Sequence, residues 1–170
     1  MPLNTVQHYL QGVLDQLVLP LGIGTLDAYI TPPNPRDNVT DPAAYIWGSH
    51  GDESRLTVPR AQHGDLASGG DKTLAHRTDV WLTWFGEADN PQVDQQFPAI
   101  VDAVLAVLRN VEMLDQTQHA QDPVTGQLSN LLNVGENMTW EYGPVRATAD
   151  QRYLRYDAQI TVEVIEIIQA

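Results

Sequence analysis

The chain contains no cysteine. Disulfide bonds, thiolate metal centres and cysteine nucleophiles are therefore excluded. That absence fits folding in a reducing cytoplasm, and it fits equally a protein that must survive outside the cell without redox chemistry. Long apolar runs are also missing: no stretch approaches the roughly 18 residues that mark a membrane-spanning helix. The first residues, MPLNTVQHYLQG, lack a basic region followed by a long apolar run, so a secretory signal is not expected. Positive charge is scarce. Nine Lys and Arg stand against 22 Asp and Glu, a net charge of −13. The overall field repels nucleic acid, so sequence-specific DNA binding is not expected. Such acidity serves solubility alone, and it also suits a surface past which DNA slides without sticking.

Catalytic signatures are lacking as well. There is no GxSxG elbow, Walker loop, GxGxxG turn or HExxH pair. Gly22-Ile23-Gly24 reads as the link from Pro20 into the next strand. His50-Gly51-Asp52-Glu53 sets a histidine and two carboxylates in one polar turn. Hard carboxylates suit Mg²⁺ or Ca²⁺, but a full oxygen cage needs more ligands than this segment supplies, and a solvated turn accounts for it. Asp37, Asp41, Asp52 and Glu53 resemble the acid pairs of glycoside chemistry only in type, since nothing sets the required separation. No enzyme activity, catalytic residue, metal or cofactor is expected.

What the chain does have is a long, regular strand near its end. From Tyr156 to Val164 the even positions are Tyr156, Ala158, Ile160, Val162 and Val164, and Asp157, Gln159, Thr161 and Glu163 lie between them. This strict period of two describes a strand with one buried and one wet face. Such a strand needs a sheet to join: the chain's own, its edge, or a neighbouring subunit. With no catalytic motif upstream, it points to assembly rather than chemistry.

The remaining pattern predicts an α+β domain spanning residues 1–170: one mainly antiparallel sheet, two helices on one face and a projecting β-hairpin. The first helix is expected at 5–18, on the stripe Val6, Tyr9, Leu10, Val13, Leu14 and Leu17, capped by Asn4 or Thr5 and stopped by Pro20. Leu26–Thr31 reads as a short strand ended by Pro32-Pro33-Asn34-Pro35, and Ala44–Trp47 as the next, closed by the turn at 48–53. Residues 54–85 read as a long hairpin with a Gly-rich tip near 64–72. On its second arm Val80, Leu82 and Trp84 share one face, with Asp79, Trp81 and Thr83 on the other. The second helix is expected within 91–111, on the stripe Phe97, Ile100, Val101, Val104, Leu105 and Leu108, with its start placed near Pro98. Leu128–Val134 is left between strand and helical turn, and Met138–Tyr142 reads as a strand.

Two features mark candidate interface residues. Arg55, Arg60, Lys72 and Arg77, four of the nine basic residues, fall in the hairpin. They suit a contact arm for an acidic partner or a DNA backbone, and equally charges that blunt an exposed hairpin. Trp81 and Trp84 have opposite parity, so one is expected in the core and the other on a face that needs covering.

The layout of an amphipathic N-terminal helix, strands and hairpin, the strand His76-Arg-Thr-Asp-Val-Trp-Leu-Thr-Trp-Phe85, the helix around Phe97–Leu108 and the closing Tyr153–Val164 strand resembles the tail terminator (tail completion) proteins of long-tailed, siphophage-type bacteriophages. That resemblance implies a structural virion protein made in the host cytoplasm. It forms a homo-hexameric ring at the head-proximal end of the tail tube, ends tube polymerisation and joins the tail to the head connector. The implied partners are further copies of the chain, the major tail tube protein, the head–tail connector or stopper, and genome DNA passing through the lumen without specific binding. No membrane is involved. A head-to-tail stopper of the same neck assembly is the nearest alternative. A small ligand-binding or hydrolytic domain, with a pocket lined by Trp47, Trp140 and Tyr142, is the alternative of another class.

Overall fold

The computed structural model describes residues 2–33, 41–55, 72–110, 120–121, 128–129 and 132–168. Helix α1 runs Pro2–Leu14. Val6, Leu10 and Leu14, spaced four apart, are completely buried, with Tyr9 partly buried beside them. Proline at its start makes Pro2 an early helical position and leaves Asn4 and Thr5 inside the helix rather than at its cap. The helix also ends earlier than its apolar period suggests. Gln16 adopts a left-handed φ of 63°, and the chain reverses into strand β1 (Leu17–Leu19). The reversal lets the helix end bind strand β2 (Gly24–Tyr29). Gln11 Nε2 donates to the Ala28 carbonyl at 3.0 Å, and the Ala28 amide donates to Asp15 Oδ1 at 3.1 Å. Both backbone groups of Ala28 on that side of β2 are thus satisfied without a strand partner.

Strand β3 (Ala43–Arg55) pairs parallel to β2 at Asp27–Tyr29 and antiparallel to β4 (Lys72–Glu87) along its whole length. The Gly48–Glu53 segment, expected as a turn, is therefore strand. A register shift between Gly48 and His50 absorbs the irregularity as a bulge, and β4 supplies the pairing that the local composition argues against. The hairpin arms accordingly run 43–55 and 72–87 rather than within 54–85. The expected Arg55–Gln62 strand is described only at Arg55, and the expected tip at 64–72 lies outside the described residues except for Lys72, which is already in β4.

Helix α2 (Val93–Asn110) follows. Its start is fixed upstream of Pro98. Asn90 Oδ1 accepts the Gln92 amide at 2.9 Å, and the Asn90 carbonyl accepts the Val93 amide at 3.2 Å. Pro98 sits inside the helix and forfeits the one bond its missing N–H would make to the Asp94 carbonyl. The expected stripe holds: Phe97, Ile100, Val101, Val104, Leu105 and Leu108 are all at most 2% exposed. Burial of side chains of this size contributes about 1.5–3 kcal/mol each, which outweighs one lost backbone bond.

Short strands β5 (Ala120–Gln121) and β6 (Leu128–Ser129) pair with each other. Strand β7 (Leu132–Tyr142) takes in the expected Met138–Tyr142 strand, and β8 (Arg146–Ala147) falls in what reads as a connection. Strand β9 (Tyr153–Ile168) closes the fold. The main sheet has seven strands in the order β1-β2-β3-β4-β9-β7, with β8 also paired to β9. All its pairings are antiparallel except β2 with β3. The terminal strand is thus interior. It pairs with β4 from Tyr153 to Ile168 on one side and with β7 and β8 on the other.

Both helices pack on one face of this sheet. Ala44 and Ile46 of β3, Val80, Leu82 and Trp84 of β4, and Tyr156, Ala158, Ile160 and Val162 of β9 meet the α1 and α2 stripes in one buried core. The α+β expectation, with two helices on a mainly antiparallel sheet, is what the chain builds.

Candidate functional site

The other face of the sheet carries neither helix. Register fixes its members. Tyr29 stands opposite Tyr45, Tyr45 opposite Trp81, Trp47 opposite Asp79, Thr83 opposite Asp157 and Phe85 opposite Arg155. Alternation sends these side chains away from the core residues between them. The result is an aromatic strip across β2, β3 and β4, beside a polar ladder across β4 and β9.

In the strip, the Tyr29 and Tyr45 rings stack with centroids 5.8 Å apart and planes 28° apart. Tyr45 and Phe85 are buried, Trp81 is half-buried, and Tyr29 and Trp47 are exposed. In the ladder, Thr161 Oγ1 donates to Asp79 Oδ1 and Thr83 Oγ1 donates to Asp157 Oδ1, each at 2.8 Å. Arg155 Nε lies 2.9 Å from Asp157 Oδ2, and Arg77 Nε lies 3.7 Å from Glu163. Each of the cross-strand pairs among these, Thr161–Asp79, Thr83–Asp157 and Arg77–Glu163, contributes about 0.2–1 kcal/mol. The ladder therefore fixes register more than it adds stability, and it commits the Asp79 and Asp157 carboxylates to protein partners.

The residues singled out from the sequence separate on this framework. Trp81 lies on the helix-free face. Trp84 lies in the core: it is buried, with its ring 5.9 Å from that of Tyr156. It cannot anchor an interface, because the α2 side of the sheet already covers it. Arg77 is exposed and joins the polar ladder through Glu163. Arg55 and Lys72 are paired residues at the far end of the hairpin arms, while Arg60 lies outside the described residues. The proposed pocket of Trp47, Trp140 and Tyr142 does not assemble. Trp47 is on the helix-free face of β3, whereas Trp140 and Tyr142 stand opposite Ile160 and Ala158 on the helix side of β7.

Several contacts had no signature in the sequence. Tyr156 Oη donates to Asp94 Oδ1 at 2.5 Å, and Phe97 packs tilted on the Tyr156 ring at 5.3 Å. Burial, then the bond to Asp94 and its charge, push the Tyr156 phenol up to about 12. Its partner is the first-turn acid of α2, so the group locks helix to sheet. Beside it, Phe97 meets Tyr142 edge-on at 6.1 Å, and the Arg109 guanidinium stands 5.6 Å above the Trp140 ring. Burial, followed by the Asp102 charge, raises the Tyr142 pKa. The parity of β7 alone could have placed Trp140 and Tyr142 on the helix side, but their partners on α2 are remote in sequence.

Among the described residues no group of three or more His, Asp or Glu is placed to hold a metal ion, and no helix is long and apolar enough to cross a membrane. No protein-family model matches the chain, and no curated protein matches it.

Proposed function

We propose that the protein is a structural component of a bacteriophage neck: a tail terminator that forms a ring on the head-proximal end of the tail tube, ends tube growth and presents a surface to the head connector. The sequence layout supplies the resemblance. The observation that carries an assembly role is the helix-free sheet face, where Tyr29, Trp47 and Trp81 stand on a rigid, registered platform. Aromatic side chains held this way give large contact area at small entropic cost, which suits a protein partner. The net charge of −13 suits a ring whose lumen lets DNA pass without binding it.

The test uses the tail tube protein of the same phage. Tubes polymerised with this protein present should be shorter, with extra density at one end. Tube lengths that do not change, together with no protein bound at tube ends, would refute the terminator reading.

A further inference from the structure

Two exposed rings on the helix-free face each have a carboxylate beside them. Trp47 is 46% exposed and stands directly opposite Asp79 across the β3–β4 pair, a spacing of about 4.5–5.5 Å between Cβ atoms. Tyr29 is 44% exposed and lies two residues from Asp27, on the same side of β2. Its ring is backed by that of Tyr45, with centroids 5.8 Å apart. Asp79 Oδ1 accepts from Thr161 Oγ1 at 2.8 Å, which holds the carboxylate in place. A carboxylate offers about four acceptor sites, so that bond leaves room for a further donor.

Charge on this face is unbalanced. Arg77 and Arg155 are ion-paired on it with Glu163 and Asp157. Beyond those pairs, strand register places Asp27, Asp52, Asp79, Glu87 and Glu141 on the face, against Arg146 among the described residues. The excess is negative, like that of the whole chain, whose net charge is −13. A nucleic acid, an anionic lipid surface or a second acidic copy is repelled there, and a cationic partner is drawn in. The face of an indole or phenol ring attracts Arg and Lys through its quadrupole, and a neighbouring carboxylate adds to that attraction. The chain already builds such a ring contact on its other face, where the Arg109 guanidinium stands 5.6 Å from the centre of the Trp140 ring.

We infer that the helix-free face receives a basic segment of a protein partner, with one guanidinium or ammonium group over Trp47 beside Asp79 and another over Tyr29 beside Asp27. This rests on the reading of that face as an assembly surface, and it names the chemistry the face meets: a stretch of chain bearing Arg or Lys.

The experiment uses the full chain and a fluorescein-labelled peptide of alternating arginine and serine, with binding read by fluorescence anisotropy. Salt is held at about 0.15 M, where a Debye length of ~8 Å screens attraction to the chain's charge at large. Trp47→Leu keeps an apolar side chain and the net charge but removes the indole face. Trp47→Phe restores a ring, and Asp79→Asn removes the charge while keeping an acceptor for Thr161. Circular dichroism checks that each variant folds; Asp27→Asn, beside Tyr29, serves if Asp79→Asn does not. The wild type should bind the peptide and ignore its glutamate–serine counterpart. Trp47→Leu should bind roughly two- to fivefold more weakly, Trp47→Phe should recover part of the loss, and Asp79→Asn should also weaken binding. Equal binding by wild type and Trp47→Leu, or no binding by the wild type, overturns the inference and leaves the terminator reading to the tube-length test. A Trp47→Leu change that lowers the mass of the assembled protein without altering peptide binding puts a second copy on the face and likewise overturns it. Unchanged tube lengths together with peptide binding that depends on Trp47 remove the terminator reading and leave the basic partner standing.

Discussion

Tyr156 shows how one residue joins layers and leaves a measurable trace. Its phenol is buried, donates to Asp94 at 2.5 Å, and has its pKa raised from 10.0 to about 12. The folded value lies above the unfolded one, so the stabilisation is complete below about pH 10 and is lost as pH rises through about 12. Urea denaturation should therefore show wild-type stability falling between pH 10 and 12 more steeply than that of Tyr156→Phe. Equal slopes would remove the Asp94 bond and burial as the cause. The two tryptophans of β4 make a second contrast. Trp84→Ala should lower stability by roughly 3–5 kcal/mol, the usual cost of emptying a large core site, and leave association per folded molecule unchanged. Trp81→Ala should cost about 1 kcal/mol of stability and weaken association, read by sedimentation at matched concentration. If Trp81→Ala leaves association intact, the helix-free face is not a contact surface. Parity alone placed these two residues on opposite faces; which face the helices would cover was not readable, because that depends on α1 and α2 meeting strands distant in sequence.

Among elements, the legible ones are those whose pattern is complete within themselves. The even positions of β9 from Tyr156 to Val162 are buried as their period requires, and the α2 stripe is buried at every expected position. Strand β3 is the counterexample. GSHGDE has the composition of a turn, yet it is held as strand by pairing with the five residues Leu74–Thr78 of β4, whose continuation to Phe85 carries a strong strand signal. The end of α1 was missed for a related reason: Leu17 fits the helical period, but the bonds from Gln11 and Asp15 to Ala28 end the helix sooner. Packing between β4 and α2 is tight enough to test. A Cβ added at Gly86 would overlap Val93 Cγ2 and stand 3.0 Å from the Trp84 ring. Valine is stiff and cannot swing clear. Gly86→Ala should thus cost roughly 1–3 kcal/mol by overpacking, and Val93→Ala added to it should recover part of the loss. A Gly86→Ala protein as stable as wild type would mean that the start of α2 is free to move away from β4.

For the whole molecule, the regular strand near the end of the chain left three places open: inside the chain's own sheet, at its edge, or against a neighbouring subunit. The strand order chooses the first: β9 is interior, and β1 and β7 form the margins. A sequence read locally gives strands but not their lateral order, so which strands form the margins was beyond its reach. The acidity of the chain, by contrast, was plain from composition and bears directly on assembly: copies with a net charge of −13 repel one another unless a specific joint outweighs the repulsion. The claim on which the account turns is that this chain joins copies of itself into a closed ring. The most direct measurement is the mass and shape of the purified protein at high concentration, by light scattering followed by negative-stain imaging. The account predicts a closed ring of about six subunits, since homo-oligomers favour closed symmetry. A particle that remains a monomer across the whole concentration range contradicts it.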